Sequence, residues 1–243
     1  MNFIINQSHF NVFLKPFLFL AFLFLGEITA TEIVLLYALE TIIAGLFHLV
    51  KLFFVSFLTD KTTAQKFLGV FYMGFFSLHY GIFVFVQTTF FFVFLSMEDP
   101  NISSSIGFEN FRTILQMHGF QVGLVFMLIS YALRFYFVFF RTGYYKTIQL
   151  EAYIFQPYLR IFIQQFVAII PGFFIIFGKA GFMAAVLLII IRGVTDYYLN
   201  RMRSDEKYFN IAFNYLFKKQ LSEGLSDKNR AEAEGFLKMM VNE

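Results

Sequence analysis

Residues 32–58 read EIVLLYALETIIAGLFHLVKLFFVSFL. At 1.5 Å of rise per residue this run outreaches the roughly 30 Å hydrocarbon layer of a bilayer. Its few polar members, Glu40, His48 and Lys51, would then lie within lipid. An ionisable group there needs a partner, a water-filled cavity or a place near the interface. The same pattern recurs on both sides, at 12–28, 67–97, 114–140, 157–178 and 182–199. The spacing predicts an all-α integral membrane protein, a bundle of about six transmembrane helices over 1–200 with a short cytoplasmic helical tail over 201–243.

Composition agrees with that reading. Of 243 residues 58% are hydrophobic and 14% charged, and the mean hydropathy of +0.67 exceeds what a water-soluble domain conceals. Forty Phe residues suit contact with lipid. The absence of Cys removes disulfides, thiolate chemistry and Cys-ligated metal clusters. A net charge of +3 and a pI near 9.0 raise the question of nucleic acid. The basic residues are spread over segment ends, however, which fits attraction to an anionic inner leaflet and no nucleic-acid partner. The first residues carry neither a positive stretch nor a following small-residue cleavage site, so no signal peptide is expected.

Along the chain, Lys15 is close enough to the start of its run to snorkel. The run 67–97 is the longest and must tilt, kink or project. Glu98, Asp99, Pro100 and the stretch 101–107 form a polar break. Pro157 suits the first turn of the fifth run, Pro171 predicts a kink within it, and Lys179 lies in a tight turn after it. After Asn200 the chain becomes charge-rich, with a weakly amphipathic helix at Phe209, Ile211, Ala212, Tyr215 and Leu216, a second helix at 231–240, and too few residues for an independent core. Lys61 and Lys66, then Arg141 and Lys146, then Arg201, Arg203, Lys207, Lys218 and Lys219 fall in alternate connections. Six crossings with both termini cytoplasmic satisfy nearly all of them.

Counting rise along each run puts Glu40 roughly 20 Å above the cytoplasmic edge and His79 about 16 to 18 Å above it, one layer near the midplane. The cytoplasmic half collects His48, Lys51, Arg134, Arg160, Gln164, Gln165, Arg192 and Asp196. Arg192 and Asp196 stand four apart on one helical face and most simply neutralise each other. Sharing Asp196 with Arg134 or Arg160 would instead line an inner cavity for a lipid phosphate or another anion, which the arginine fork suits. A metal site, for zinc or another divalent ion, would draw on Glu40, His79 and His118, since His48 lies about 12 Å along the axis from Glu40. Otherwise no cofactor is implied, and the histidines bond across helix interfaces to backbone carbonyls, Tyr37, Tyr80 or Gln121. Small residues, Thr41 with Gly45, Gly74 with Ser77 and Gly81, and Gly119 with Gly123, mark faces where backbones approach.

On these residues the chain resembles a bacterial family of polytopic inner-membrane proteins classified only as a domain of unknown function. The likeness runs from the second helix to the sixth. It rests on Glu40, Gly45, His48 and Lys51, on His79, Tyr80, Gly81 and Phe83, on Pro157, Tyr158, Arg160 and Ile161, and on Arg192 with Asp196. The family pattern has asparagine beside the glutamate and at the position of His48, a second histidine where this chain has Gln87, and a histidine where it has Gln164 or Gln165. The resemblance implies a multi-pass protein of the bacterial inner (cytoplasmic) membrane and singles out Glu40, His79, Arg160 and Asp196. It implies no activity.

Three functions fit these features. The first is a non-enzymatic membrane protein whose inner polar cavity binds a lipid head group, a small solute or a protein partner, a second copy included. The second is a metal-dependent intramembrane hydrolase, and the third an ion or proton path through Glu40 and His79. No nucleophilic serine motif, phosphate loop or dinucleotide fingerprint is present.

Overall fold

The central helix begins where Thr29 and Glu32 cap each other. The Thr29 hydroxyl accepts from the Glu32 N–H at 3.2 Å, and the Glu32 carboxylate accepts from the Thr29 N–H at 2.8 Å. In this computed structural model the described residues are 8–59, 61–97, 100–158, 161–162, 181–222, 224 and 226–241, with backbone alone at 8–15, 152, 181, 219 and 227. They form α1 (Ser8–Leu25), α2 (Ala30–Phe57), α3 (Thr63–Ser96), α4 (Phe108–Gln116), α5 (His118–Arg134), α6 (Leu150–Tyr153), α7 (Gly181–Ser204), α8 (Glu206–Leu216), α9 (Lys218–Ser222) and α10 (Asp227–Val241). A π-helical stretch, Phe135–Phe140, extends α5. No strand occurs among the described residues.

Four of these helices are long and apolar enough to cross a membrane: Ala30–Phe57, Thr63–Ser96, His118–Phe140 and Phe182–Ser204. The apolar part of α1, Pro16–Leu25, is shorter. The expected fifth run, with its kink at Pro171 and turn at Lys179, lies largely outside the described residues. The expected fourth run proves to be two helices. Met117, at φ −71° and ψ 122°, leaves the helical region and divides α4 from α5.

Helix α2 is the hub, with α3, α5, α6 and α7 packed on it and α1 riding on α7. Two-thirds of its apolar window (67%) is buried, against 11% for the helix through α5. Helix α3 runs antiparallel to α2, α5 and α7 run parallel to it, and α1 runs antiparallel to α7. At one end Phe24 of α1 meets Phe182 of α7 at 5.5 Å between ring centroids, and the start of α2 meets the start of α5. At the other end Phe54 of α2 meets Phe140 and Tyr145 beyond α5. The basic connections after α2 and α5, and the segment after α7, share this second end.

The core divides into two clusters along the bundle. The first is mostly aliphatic and joins Ile33, Leu36, Leu95, Ile114, Leu188 and Ile189. The polar stretch before α4 is tied to it. The Asn110 side chain accepts from the Ser103 N–H (2.8 Å) and donates to the Ser103 and Ser105 carbonyls (2.6 and 2.9 Å). The second cluster is aromatic, with Phe76, Tyr80, Phe139 and Tyr153 around Leu52.

The tail has helices where the sequence suggests them, α8 and α10, and they pack against the end of α7. Helix α7 runs on to Ser204, and Phe209 and Phe213 of α8 pack with Leu237 and Val241 of α10. Met202 of α7 completes this small core, and Arg203 donates to the Val241 carbonyl at 2.7 Å. A segment too short for a core of its own borrows one from the helix before it.

Candidate functional site

The centre of the molecule is a charged cluster on α2 and α7. On α7, Ala185, Leu188, Ile189 and Arg192 follow one another at three- and four-residue spacing and are all buried, so a single face meets α2. The small Ala184 and Ala185 admit close packing, and Arg192 falls opposite Glu40. The Arg192 Nη2 stands 3.5 Å from the Glu40 Oε1, and both side chains are only 3% exposed. On its other side the Arg192 Nε donates to the Asp196 Oδ2 at 3.2 Å, and Asp196 is 29% exposed.

Two tyrosines frame this cluster. Tyr37, one turn before Glu40, is buried within electrostatic reach of Glu40, Arg192 and Asp196. Tyr80 of α3 donates from its hydroxyl to the Thr41 carbonyl at 2.8 Å, and its ring occupies the space beside Gly45. The backbone of α2 next to Glu40 is thereby pinned to α3. Arg192 thus spans a buried carboxylate and a more accessible one.

The other expected residues go elsewhere. His48 is buried between the rings of Phe76 (4.8 Å) and Tyr153 (4.9 Å), and neither ring nitrogen has a hydrogen-bond partner among the described residues. His79 is exposed and its Nδ1 pairs with the Tyr158 hydroxyl at 2.8 Å. It sits one residue before Tyr80, and the helical step of about 100° that turns Tyr80 toward α2 turns His79 away. His118 is exposed at the start of α5, and Arg134 is exposed at its end. Asp196 is brought to Arg192 and not to Arg134. Arg160, Gln164 and Gln165 lie outside the described residues.

The three residues of the expected metal set stand apart among the described residues. Glu40 faces Arg192, His79 faces Tyr158, and His118 is exposed at the start of α5, so the three do not converge. Among the described residues no three His, Asp or Glu side chains are placed to hold a metal ion.

Sequence reasoning overlooked Glu32, the first residue of the run 32–58. Its Oε2 accepts from Thr29, while its Oε1 accepts from the Gly119 N–H (2.9 Å) and the Phe120 N–H (3.3 Å) at the start of α5. One carboxylate closes two helix N-termini, where unsatisfied donors and the helix dipole favour negative charge. The Thr29-x-x-Glu32 spacing is a capping box and was the available signal. Tyr37 was noted only as a hydrogen-bond partner, Tyr158 only among the residues of the family resemblance, and Tyr153 not at all.

No curated protein and no solved structure matches the chain. The profile of a family does match, over residues 8–210, a stretch that holds Glu40, Arg192 and Asp196 together, and the chain belongs to that family, a family of unknown function (DUF6498).

Proposed function

We propose that this chain is a multi-pass membrane protein, crossing about six times with both termini in the cytoplasm, and that its Arg192 centre receives the anionic head group of a lipid, or a small solute bearing the same group. Large apolar side chains exposed along α3 and α5, among them Leu78, Phe85, Val125 and Ile129, support insertion. Basic connections gathered at one end of the bundle support the orientation, and the family resemblance points to a bacterial inner membrane.

The observation that carries the binding reading is the asymmetry around Arg192: sealed toward Glu40, open toward Asp196. A phosphate oxygen that replaces the Asp196 carboxylate on Nε keeps the guanidinium hydrogen-bonded and charge-compensated, while Glu40 stays in place. Arginine is suited to such an exchange because its planar fork fits carboxylate and phosphate alike. Asp196 is the more exposed member of its pair, 29% against 3% for Arg192, and an anion that takes its place leaves the buried guanidinium compensated.

Native mass spectrometry of protein extracted in mild detergent tests this. The unaltered protein should retain an acidic or zwitterionic phospholipid, Arg192→Gln should lose it, and Asp196→Asn, which removes the competing carboxylate, should retain more. Equal lipid content in all three proteins, or none in any, would overturn the reading.

A further inference from the structure

Helix α8 carries two apolar faces, and the fold covers only one. Phe209 and Phe213 are enclosed by α10. Tyr208, Ile211 and Tyr215, spaced three and four apart on the other side of the same helix, are 39%, 57% and 80% exposed. Lys207, Asn210 and Asn214 form a polar strip between the two faces. An isolated exposed aromatic is ordinary, but three aligned apolar side chains bordered by a polar strip make a surface built for an apolar neighbour.

The neighbour is indicated by what the stripe continues. On α7 the exposed residues Ile190, Val194 and Tyr198 follow at four-residue steps down one face. Three residues further, the Arg201 guanidinium lies 4.4 Å from the centroid of the Tyr208 ring, at the start of α8. The outward apolar line of a membrane-crossing helix thus passes through a cation–π contact into the outward apolar line of the next helix. Only Asp205 separates α7 from α8, so α8 begins where α7 leaves the hydrocarbon. Arg201, Lys207 and Lys218 flank the stripe with positive charge, as at a surface that meets anionic head groups.

We infer that α8 is an interfacial helix that lies on the cytoplasmic leaflet, with Tyr208, Ile211 and Tyr215 sunk to the boundary between head groups and acyl chains. The inference rests on membrane insertion of α7 but not on head-group binding at Arg192. In this arrangement the bilayer and α10 clamp α8 from opposite sides: lipid takes one apolar face and α10 the other. Interfacial tyrosines suit the task, since the ring is apolar and the hydroxyl stays wet.

The absence of Cys from the sequence makes single-cysteine probes direct. The full chain would be reconstituted in vesicles of phosphatidylcholine with one quarter phosphatidylglycerol, spin-labelled at Val194→Cys, Asn210→Cys, Ile211→Cys, Asn214→Cys or Tyr215→Cys, and its accessibility to oxygen compared with that to a water-soluble nickel chelate. The oxygen-to-nickel ratio should be several-fold higher at 211 and 215 than at 210 and 214, and higher still at 194. Equal nickel access at 210, 211, 214 and 215 with 194 still in lipid would overturn the interfacial helix alone. Nickel access at 194 as well would overturn membrane insertion and the inference with it. Exclusion of both reagents at 211 and 215, with spin–spin broadening, would replace the lipid by a second copy of the chain and so also overturn it.

Discussion

Glu32 and Glu40 lie on the same helix, both buried, and are satisfied in opposite ways. Glu32 accepts from backbone N–H groups at the first turns of α2 and α5, donors that cannot leave without unwinding a helix. Glu40 faces a side-chain cation whose other partner is accessible. The first arrangement fixes the distance between two helices. The second, if Arg192 receives an anion as proposed, lets a charge change partners while the helices stay where they are. A buried carboxylate therefore marks scaffold or site according to whether its donors belong to backbone or to a mobile side chain.

The contrast breaks first at Arg192. Arg192→Met should destabilise the protein by about 3–5 kcal/mol, because it strips a buried carboxylate of its guanidinium. Adding Glu40→Gln to that variant should recover a substantial part, since the charge that needed compensation is then gone. Unfolding in mixed micelles of increasing sodium dodecyl sulfate mole fraction measures both. A double variant no more stable than Arg192→Met would show that the Glu40 charge is not what the guanidinium holds.

At the scaffold end, Glu32→Ala should cost about 2–3 kcal/mol, the worth of charge-assisted bonds to otherwise orphaned helix donors. Glu32→Gln, which keeps one acceptor oxygen, should cost roughly half as much. Asp196→Asn is the sharper comparison. Asp196 is 29% exposed and Arg192 keeps Glu40 beside it, so loss of the Asp196 charge should cost less than that of Glu32 while altering lipid retention. If Asp196→Asn proved as damaging as Glu32→Ala in the same micelle titration, Asp196 would be scaffold as well.

The elements legible in the sequence were those set by local spacing. The long apolar runs announced α2, α3 and α7 through length alone, and Arg192 with Asp196 was readable because four residues make one turn. The meeting of Glu40 with Arg192 was not, since nothing in either run fixes how far α2 and α7 are rotated about their axes. The same freedom misplaced His79: one residue decides whether a side chain faces α2, and Tyr80 took that place. The Thr29–Glu32 cap could be read locally, but its reach to Gly119, 87 residues away, could not. Met117 breaks its helix with neither proline nor glycine at that position, so the division of the fourth run left no mark.

Small residues give the finest test of scaffold against open surface, because equal sequence signals had unequal outcomes. A methyl group added at Gly45 would run into the ring of Tyr80, with Cδ1 at 2.9 Å and Cε1 closer, whereas one added at Gly74 or Gly81 meets nothing within 4 Å. The Tyr80 ring cannot swing aside freely, since its hydroxyl is bonded to the Thr41 carbonyl. Gly45→Ala should therefore cost about 1–3 kcal/mol through overpacking. Gly74→Ala and Gly81→Ala fill open space on a helix that already satisfies Ser77 with its own Met73 carbonyl. They should raise stability by up to about 1 kcal/mol, the helix propensity gained on replacing glycine. A loss of stability at Gly74 or Gly81 in the micelle titration would mean that a neighbour covers this face of α3 in the assembled protein, and α3 would then belong with the scaffold.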